Sequence, residues 1–402
     1  MKRSGSADLP LCNGTIPTWL FEKMTKLSFA IVETIILEHG QQEFLRRLSD
    51  PFWFQSFGAV IGMNWNASGV TTAVMSALKK SLNPYSQKLG VYVCGGKGKH
   101  SLQTPRELID VGNRTGLDGN YLALCSRLSA KIDNTAIQDG FQLYLHNFVV
   151  TDKGDWAVIQ QGMKPNVLTA RRYHWNSKNI KSFTEEPHTG ICGENQGQIL
   201  NLVDKNAQPT QQGILSITNE HPDKILSEIR RLVMPSYKNI RAENVDLKRL
   251  GSILWLAQEN KTEKFEDLLL LNGLGPRALQ SLTLVSEIIH GTPSRFTDPA
   301  RFAFAHGGKS GRPFPILTTV YDETIATLKS SVEKAKLGQI EKHEAIKKLT
   351  KIAQEVEKDF MPNENFETFL KKENDAAWKY GGRITKGISK PVNSKQLNIF
   401  DN

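Results

Sequence analysis

The stretch "GFQLYLHNFVVT", the turn "DKGD" and the stretch "WAVIQQGM" (residues 140–163) restrict the fold more than any other part of the chain. Two strand-like apolar runs flank a tight polar turn containing Gly154, and such runs must pair antiparallel to satisfy their backbone groups. Upstream, "KLGVYVCGGKGKHS" reads as a short β-branched strand running into glycines, with a helix beginning at Thr104-Pro105. Around these strands the spacing is helical. "PTWLFEKMTKLSFAIVETIILEHG" ends at Gly40, "GQQEFLRRLSD" stops at Pro51, and "NASGVTTAVMSALKKSL" starts at an Asn66 or Ser68 cap. Residues 180–220 are rich in Asn, Gln and Gly and read as long loops. From Asp223 onward the period is helical throughout. The expected class is α+β: a mixed domain over residues 1–222, a helical domain over 223–379, and a flexible tail over 380–402.

Charge narrows the partners. The net charge of +10 suits a polyanion, because Lys and Arg that neutralise phosphates release counterions. A merely basic soluble protein is the plain alternative. No apolar run reaches the roughly 18 residues of a membrane span. The start, "MKRSGSADLPLC", carries no apolar core of a secretory signal. Cys12, Cys94, Cys125 and Cys192 are scattered with no CxxC pair. Disulfides and structural zinc are therefore not expected, and a cytoplasmic, nucleoid-associated location is.

"FEDLLLLNGLGPRALQSLTLVSEI" is the most specific internal motif. A helix ends in leucines, a Gly-rich turn follows, and a second helix opens at Pro276, where no donor is wasted. Freed N–H groups at that start, with the helix dipole, favour an anion. The stretch, about residues 262–290, resembles the helix-hairpin-helix motif, which grips a DNA backbone phosphate without reading sequence. By that resemblance Leu274 plugs the turn, and Gly273, Gly275 and Arg277 face the phosphate. An ordinary αα-hairpin is the alternative. Some glycosylases use this hairpin with a catalytic Lys; the comparable position here is Arg277, and Asp298 is left as a candidate acid.

Residues that transfer protons or hold cations crowd the block around the strand pair. Asp133, Asp139, His146, Gln161, His174, Glu185 and His188 are the catalytic candidates, with Asp133, Asp139 and Glu185 as hard oxygen ligands for Mg²⁺ or Mn²⁺. Arg171 and Arg172 are candidates to clamp a phosphate between them. Lys97 and Lys99 in "CGGKGKHS" are candidate backbone contacts, although the stretch does not fit the ATPase phosphate loop. For each carboxylate a solvated loop role is the alternative, and for each His a satisfied core residue.

Eight blocks in order, "RSGSADLP", "RRLSDPFWFQSFG", "GGKGK", "SRLSAKID", "QDGFQLYLH", "WAVIQQGM", "ARRYHW" and "EEPH", resemble the signature blocks of the domain-of-unknown-function 763 family of archaea and bacteria. The likeness covers about residues 1–320 and implies a nucleic-acid-processing protein with nuclease chemistry suspected. Beyond it, "KYGGRITKGISKPVNSK" reads as a polar tether. Past the tether, Gln396, Leu397, Ile399 and Phe400 resemble the bacterial sliding-clamp-binding pentapeptide Gln-Leu-x-Leu-Phe. Together these features predict a metal-dependent DNA nuclease tethered to the clamp. A non-catalytic DNA-binding adaptor is the rival, and a homodimer stays open.

Overall fold

The strand pair forms as its sequence requires and becomes the centre of a six-stranded antiparallel sheet. The computed structural model describes residues 9–10, 16–63, 69–164, 169–231, 247–300, 318–335 and 338–357. In chain order it contains β1 (Leu9–Pro10), α1 (Thr18–His39), α2 (Gln41–Leu48), α3 (Pro51–Val60), α4 (Gly69–Leu82), α5 (Ser86–Leu89) and β2 (Val91–Lys97). Then come α6 (Thr104–Thr115), α7 (Gly119–Lys131), β3 (Gln142–Thr151), β4 (Trp156–Met163), β5 (Thr169–Asn176) and β6 (His188–Cys192). The remaining helices are α8 (Gln208–Asn219), α9 (Pro222–Arg231), α10 (Leu247–Glu259), α11 (Phe265–Leu270), α12 (Pro276–His290), α13 (Thr318–Lys334) and α14 (Gln339–Glu357). Helices and antiparallel strands together make the α+β class.

The sheet order is β1-β5-β4-β3-β2, with β6 also on β5. Pairing of Val150 with Trp156 and of Gln142 with Met163 sets the β3–β4 register. Because side chains alternate across a strand, each run of the sheet supplies two faces. One face carries Phe148, Val158, Tyr173 and Trp175 against α6, α7 and the helices after residue 207. The other carries Val149, Ala157 and Ile159 against the N-terminal helices. Asp50 caps α3 by accepting from Phe52 N and Trp53 N, and Pro51 occupies the first helical position. Thus Pro51 both stops α2 and starts the next helix.

Residues 180–220 are more ordered than their composition predicts: they contain β6 and α8. Their signal is weak because β6 is short and α8 buries only one stripe, including Ile214 and Ile217. Ile225, Leu254, Leu268 and Leu282 lie in the same apolar cluster as Phe148 and Trp175, so a common core runs across residue 222. The chain divides into two units, Met1–Ala353 and Gln354–Asn402. Of the second, only the end of α14 lies among the described residues.

Candidate functional site

The turn between α11 and α12 is built around one left-handed residue. Gly273 has φ +80°, a conformation that side chains disfavour, and it reverses the chain within four residues. That reversal drives Leu274 into the core, where it is 2% exposed, and leaves Arg277 exposed. Gly275 precedes α12 in extended conformation with no side-chain cap. Gly275 therefore offers no side-chain cap to the first amides of α12 beyond the ring of Pro276. Two side chains fix the turn from the sheet side: Lys131 Nζ donates to Leu274 O at 2.8 Å and Gln138 Nε2 donates to Pro276 O at 2.8 Å. Burial lowers the pKa of Lys131 below the ordinary lysine value.

Lys131 ends α7, and the chain continues through a π-helical turn, Ile132–Ala136. This turn points Asp133 at the sheet, fully buried. Its Oδ2 accepts from Gln160 Nε2 and, at 3.0 Å, from Trp175 Nε1, while its Oδ1 meets His188 Nε2. Since Gln160 donates to Asp133 through its nitrogen, its Oε1 must accept from His146 Nδ1 at 2.8 Å. His146 Nε2 then accepts from Ser126 Oγ at 2.8 Å. Burial holds His146 neutral, lowering its pKa to about 4. Burial pushes Asp133 up from the usual carboxylate range, while His188 and Trp175 pull the other way.

His188 occupies the mouth of this chain of bonds. It lines a cleft of about 740 Å³ with Arg46, Asp50, Glu186, Asn201 and Lys205. The Trp175 ring lies against it with centroids 4.3 Å apart. No hydrogen bond to its Nδ1 occurs among the described residues, so one nitrogen is held by a buried carboxylate while the other can serve a ligand. Glu186, on the cleft wall, has φ +40°, a strained backbone for a residue with a side chain.

A second buried cluster closes the sheet beside the cleft. Arg171 donates through Nη1 to Asp139 at 2.9 Å and through Nη2 to Asp298 at 2.7 Å and Glu194 O at 2.6 Å. Tyr173 OH adds a bond to Asp139 at 2.7 Å, and Phe141 N donates to its other oxygen. Burial raises the pKa of Asp139, opposed by Arg171. These groups pin β5 to residues 194–197 and 298, which is a structural role.

Several sequence expectations change here. Arg171 and Arg172 cannot clamp one phosphate: neighbouring positions on β5 send them to opposite faces, and both are fully buried. Arg172 donates to His174 Nε2 at 2.7 Å and to Gln55 Oε1 at 2.9 Å, and lies over the Phe54 ring. His174 is thereby an acceptor inside the core, its pKa well below the ordinary value through burial and the Arg172 charge. Gln161 donates to Tyr144 OH on that same face. Asp298, the candidate glycosylase acid, has no exposed side-chain surface in its ion pair with Arg171. Asp133 and Asp139 belong to separate clusters with their oxygens bonded to protein donors, and Glu185 is exposed. These three do not fit as ligands of one Mg²⁺ or Mn²⁺, and among the described residues no group of three His, Cys, Asp or Glu is placed to hold a metal. Lys97 and Lys99 are exposed at the end of β2. Gln396, Leu397, Ile399 and Phe400 lie outside the described residues.

A family model described as "Protein of unknown function (DUF763)" matches residues 5–316, most of the chain. The protein belongs to that family. No curated protein and no solved structure matches it. Every group of the DUF763 cleft and turn lies within the matched segment, while the C-terminal tail lies beyond it. Sequence reading picked out Asp133 and His188 separately but missed the direct bond between them and the Gln160 and Trp175 that donate to Asp133, and it missed Lys131 altogether. The only trace was two successive glutamines, Gln160 and Gln161, inside an otherwise apolar strand.

Proposed function

We propose that this protein is a DNA nuclease that grips backbone phosphate with the α11–α12 turn and hydrolyses a phosphodiester at the His188 cleft. One observation carries the reading. The segment Lys131–Gln138 holds the turn through Lys131 and Gln138 and, between them, supplies the Asp133 that orients His188. A phosphate grip and an acid–base pair are thus supported by one short piece of chain. The uncapped start of α12 and exposed Arg277 suit a phosphate, which the net charge of +10 would attract.

In the proposed reaction His188 takes a proton from water through Nδ1 as the oxygen adds to phosphorus. The P–O bond to the leaving nucleotide breaks, that oxygen takes a proton from solvent water, and the imidazolium afterwards gives its proton back to solvent. Asp133 stabilises the imidazolium that forms. Lys205, exposed on the cleft wall, is the cation offered to the phosphate, while Arg46 beside it is held by Glu43. The Mg²⁺ or Mn²⁺ requirement expected from the residue types of this block finds no common ligand set in Asp133, Asp139 and Glu185, and the chelator arm of the cleavage assay tests it separately. No step is routed through the ion, because Asp133 and Asp139 are occupied by protein donors. The tail adds a proposed attachment to a sliding clamp.

The test is cleavage of single-stranded, duplex and branched DNA by wild type, His188→Ala and Asp133→Asn, with and without chelator. Cleavage lost by at least about a hundredfold in both variants, with DNA affinity retained, supports the reading. Full activity in His188→Ala removes the cleft from the chemistry. A wild type that binds every DNA but cuts none is the adaptor.

A further inference from the structure

The loop after β2 is built like a tool rather than a connection. Residues Gly98–Gln103 form a 3₁₀ turn closed by Ser101 Oγ to Gly98 O at 2.6 Å and Thr104 Oγ1 to Ser101 O at 2.7 Å. Its base is clamped as well. Gly95 donates to Glu107 Oε2 at 2.9 Å, and Lys79 bonds both Gly95 O and Glu107. Gly98 takes φ +58° with open space around it, so the loop turns outward. On this rigid projection Leu102 is 79% exposed. Lys97, Lys99, His100 and Arg106, within five residues of it along the chain, are exposed, and Lys97 Nζ lies over the Tyr144 ring at 5.8 Å. The acid of the base, Glu107, is taken by Lys79; Asp110 lies one turn further along α6.

An ordered apolar tip flanked in sequence by the exposed cations Lys97, Lys99 and Arg106 fits a polyanion with an apolar interior. DNA is such a partner: cations meet phosphates while an apolar wedge enters between base steps. Position agrees. Lys97 pairs with Leu145 on β3, and nearby Leu143 N donates to Asn134 Oδ1, in the segment that holds the α11–α12 turn. The loop and the segment that holds the turn thus both meet the start of β3, at one end of the sheet.

We propose that Gly98–Gln103 is a second DNA contact, with Leu102 wedged into the base stack, and that the preferred substrate is duplex with an already weakened step. Resting on the DNA-binding reading above, it names the substrate class. Unstacking is least costly at a mismatch, bulge or junction, so a wedge favours those sites.

The experiment measures binding of the full chain to an intact duplex and to the same duplex with a central bulge. 2-Aminopurine beside the bulge reports unstacking. Wild type is expected to prefer the bulged duplex by about tenfold and to raise the fluorescence. Leu102→Ala should bind both duplexes alike without the fluorescence rise, and Lys97→Glu with Lys99→Glu should weaken both. Persistence of preference and signal in Leu102→Ala overturns the proposal, as does Leu102-dependent self-association without DNA. If DNA binding depends on Arg277 but not on Leu102, only this inference fails. If wild type binds no DNA, the function itself fails with it.

Discussion

At the residue scale, His146 is the most exacting position. Its Nδ1 must donate to Gln160 and its Nε2 must accept from Ser126, so only the neutral ring fits. In the unfolded chain it takes a proton near the ordinary value of 6.5, but in the fold only near 4. Between those values the unfolded state holds more protons, so stability rises with pH. The contribution is complete above pH 6.5, is lost as pH falls toward 4, and amounts to roughly 3 kcal/mol. Denaturant melts should therefore show wild type losing stability relative to His146→Gln across this interval. Parallel losses in the two proteins would mean that His146 is not held neutral. Such residues also explain what sequence reading could not find. Asp133 and His188 lie 55 positions apart, and nothing local announces that a third strand will supply Gln160 to one of them.

At the scale of elements, legibility followed periodicity. The β3–β4 pair and the longer helices were readable because burial on a face or stripe imposes a period. β5 was not, because Arg171, Arg172 and His174 are polar yet fully buried, contrary to the usual meaning of such residues. The α11–α12 turn was readable down to its plug, Leu274, but its constraint lies at one glycine. Gly273 requires the left-handed region, whereas Gly275, at φ −126°, is extended as any residue can be. Gly273→Val should cost roughly 1–2 kcal/mol of stability and weaken DNA binding with it. Arg277→Glu, at an exposed position, should leave the melt unchanged. It should weaken binding to all sequences alike and lower the salt slope by about one. An unchanged slope in the folded Arg277→Glu protein would reduce this turn to a connection.

Taken whole, the protein combines parts of different separability. Removal of residues 395–402, or Leu397→Ala with Phe400→Ala, should abolish binding to the organism's own sliding clamp while leaving melting temperature and DNA affinity nearly intact. Loss of a peptide anchor costs about 2 kcal/mol or more, enough to erase a micromolar contact. A lowered melting temperature, with no clamp binding by the isolated peptide, would instead assign these residues to the parent core. The turn and the cleft are not separable in that manner. They share an apolar core from Phe148 to Val285, and Lys131 through Gln138 is cast into both. Such a frame would act as a gauge: under the proposed nuclease reading, a strand gripped at the turn would reach His188 at one fixed offset, and the spacing of cuts would be set by the protein rather than by the bases beneath it.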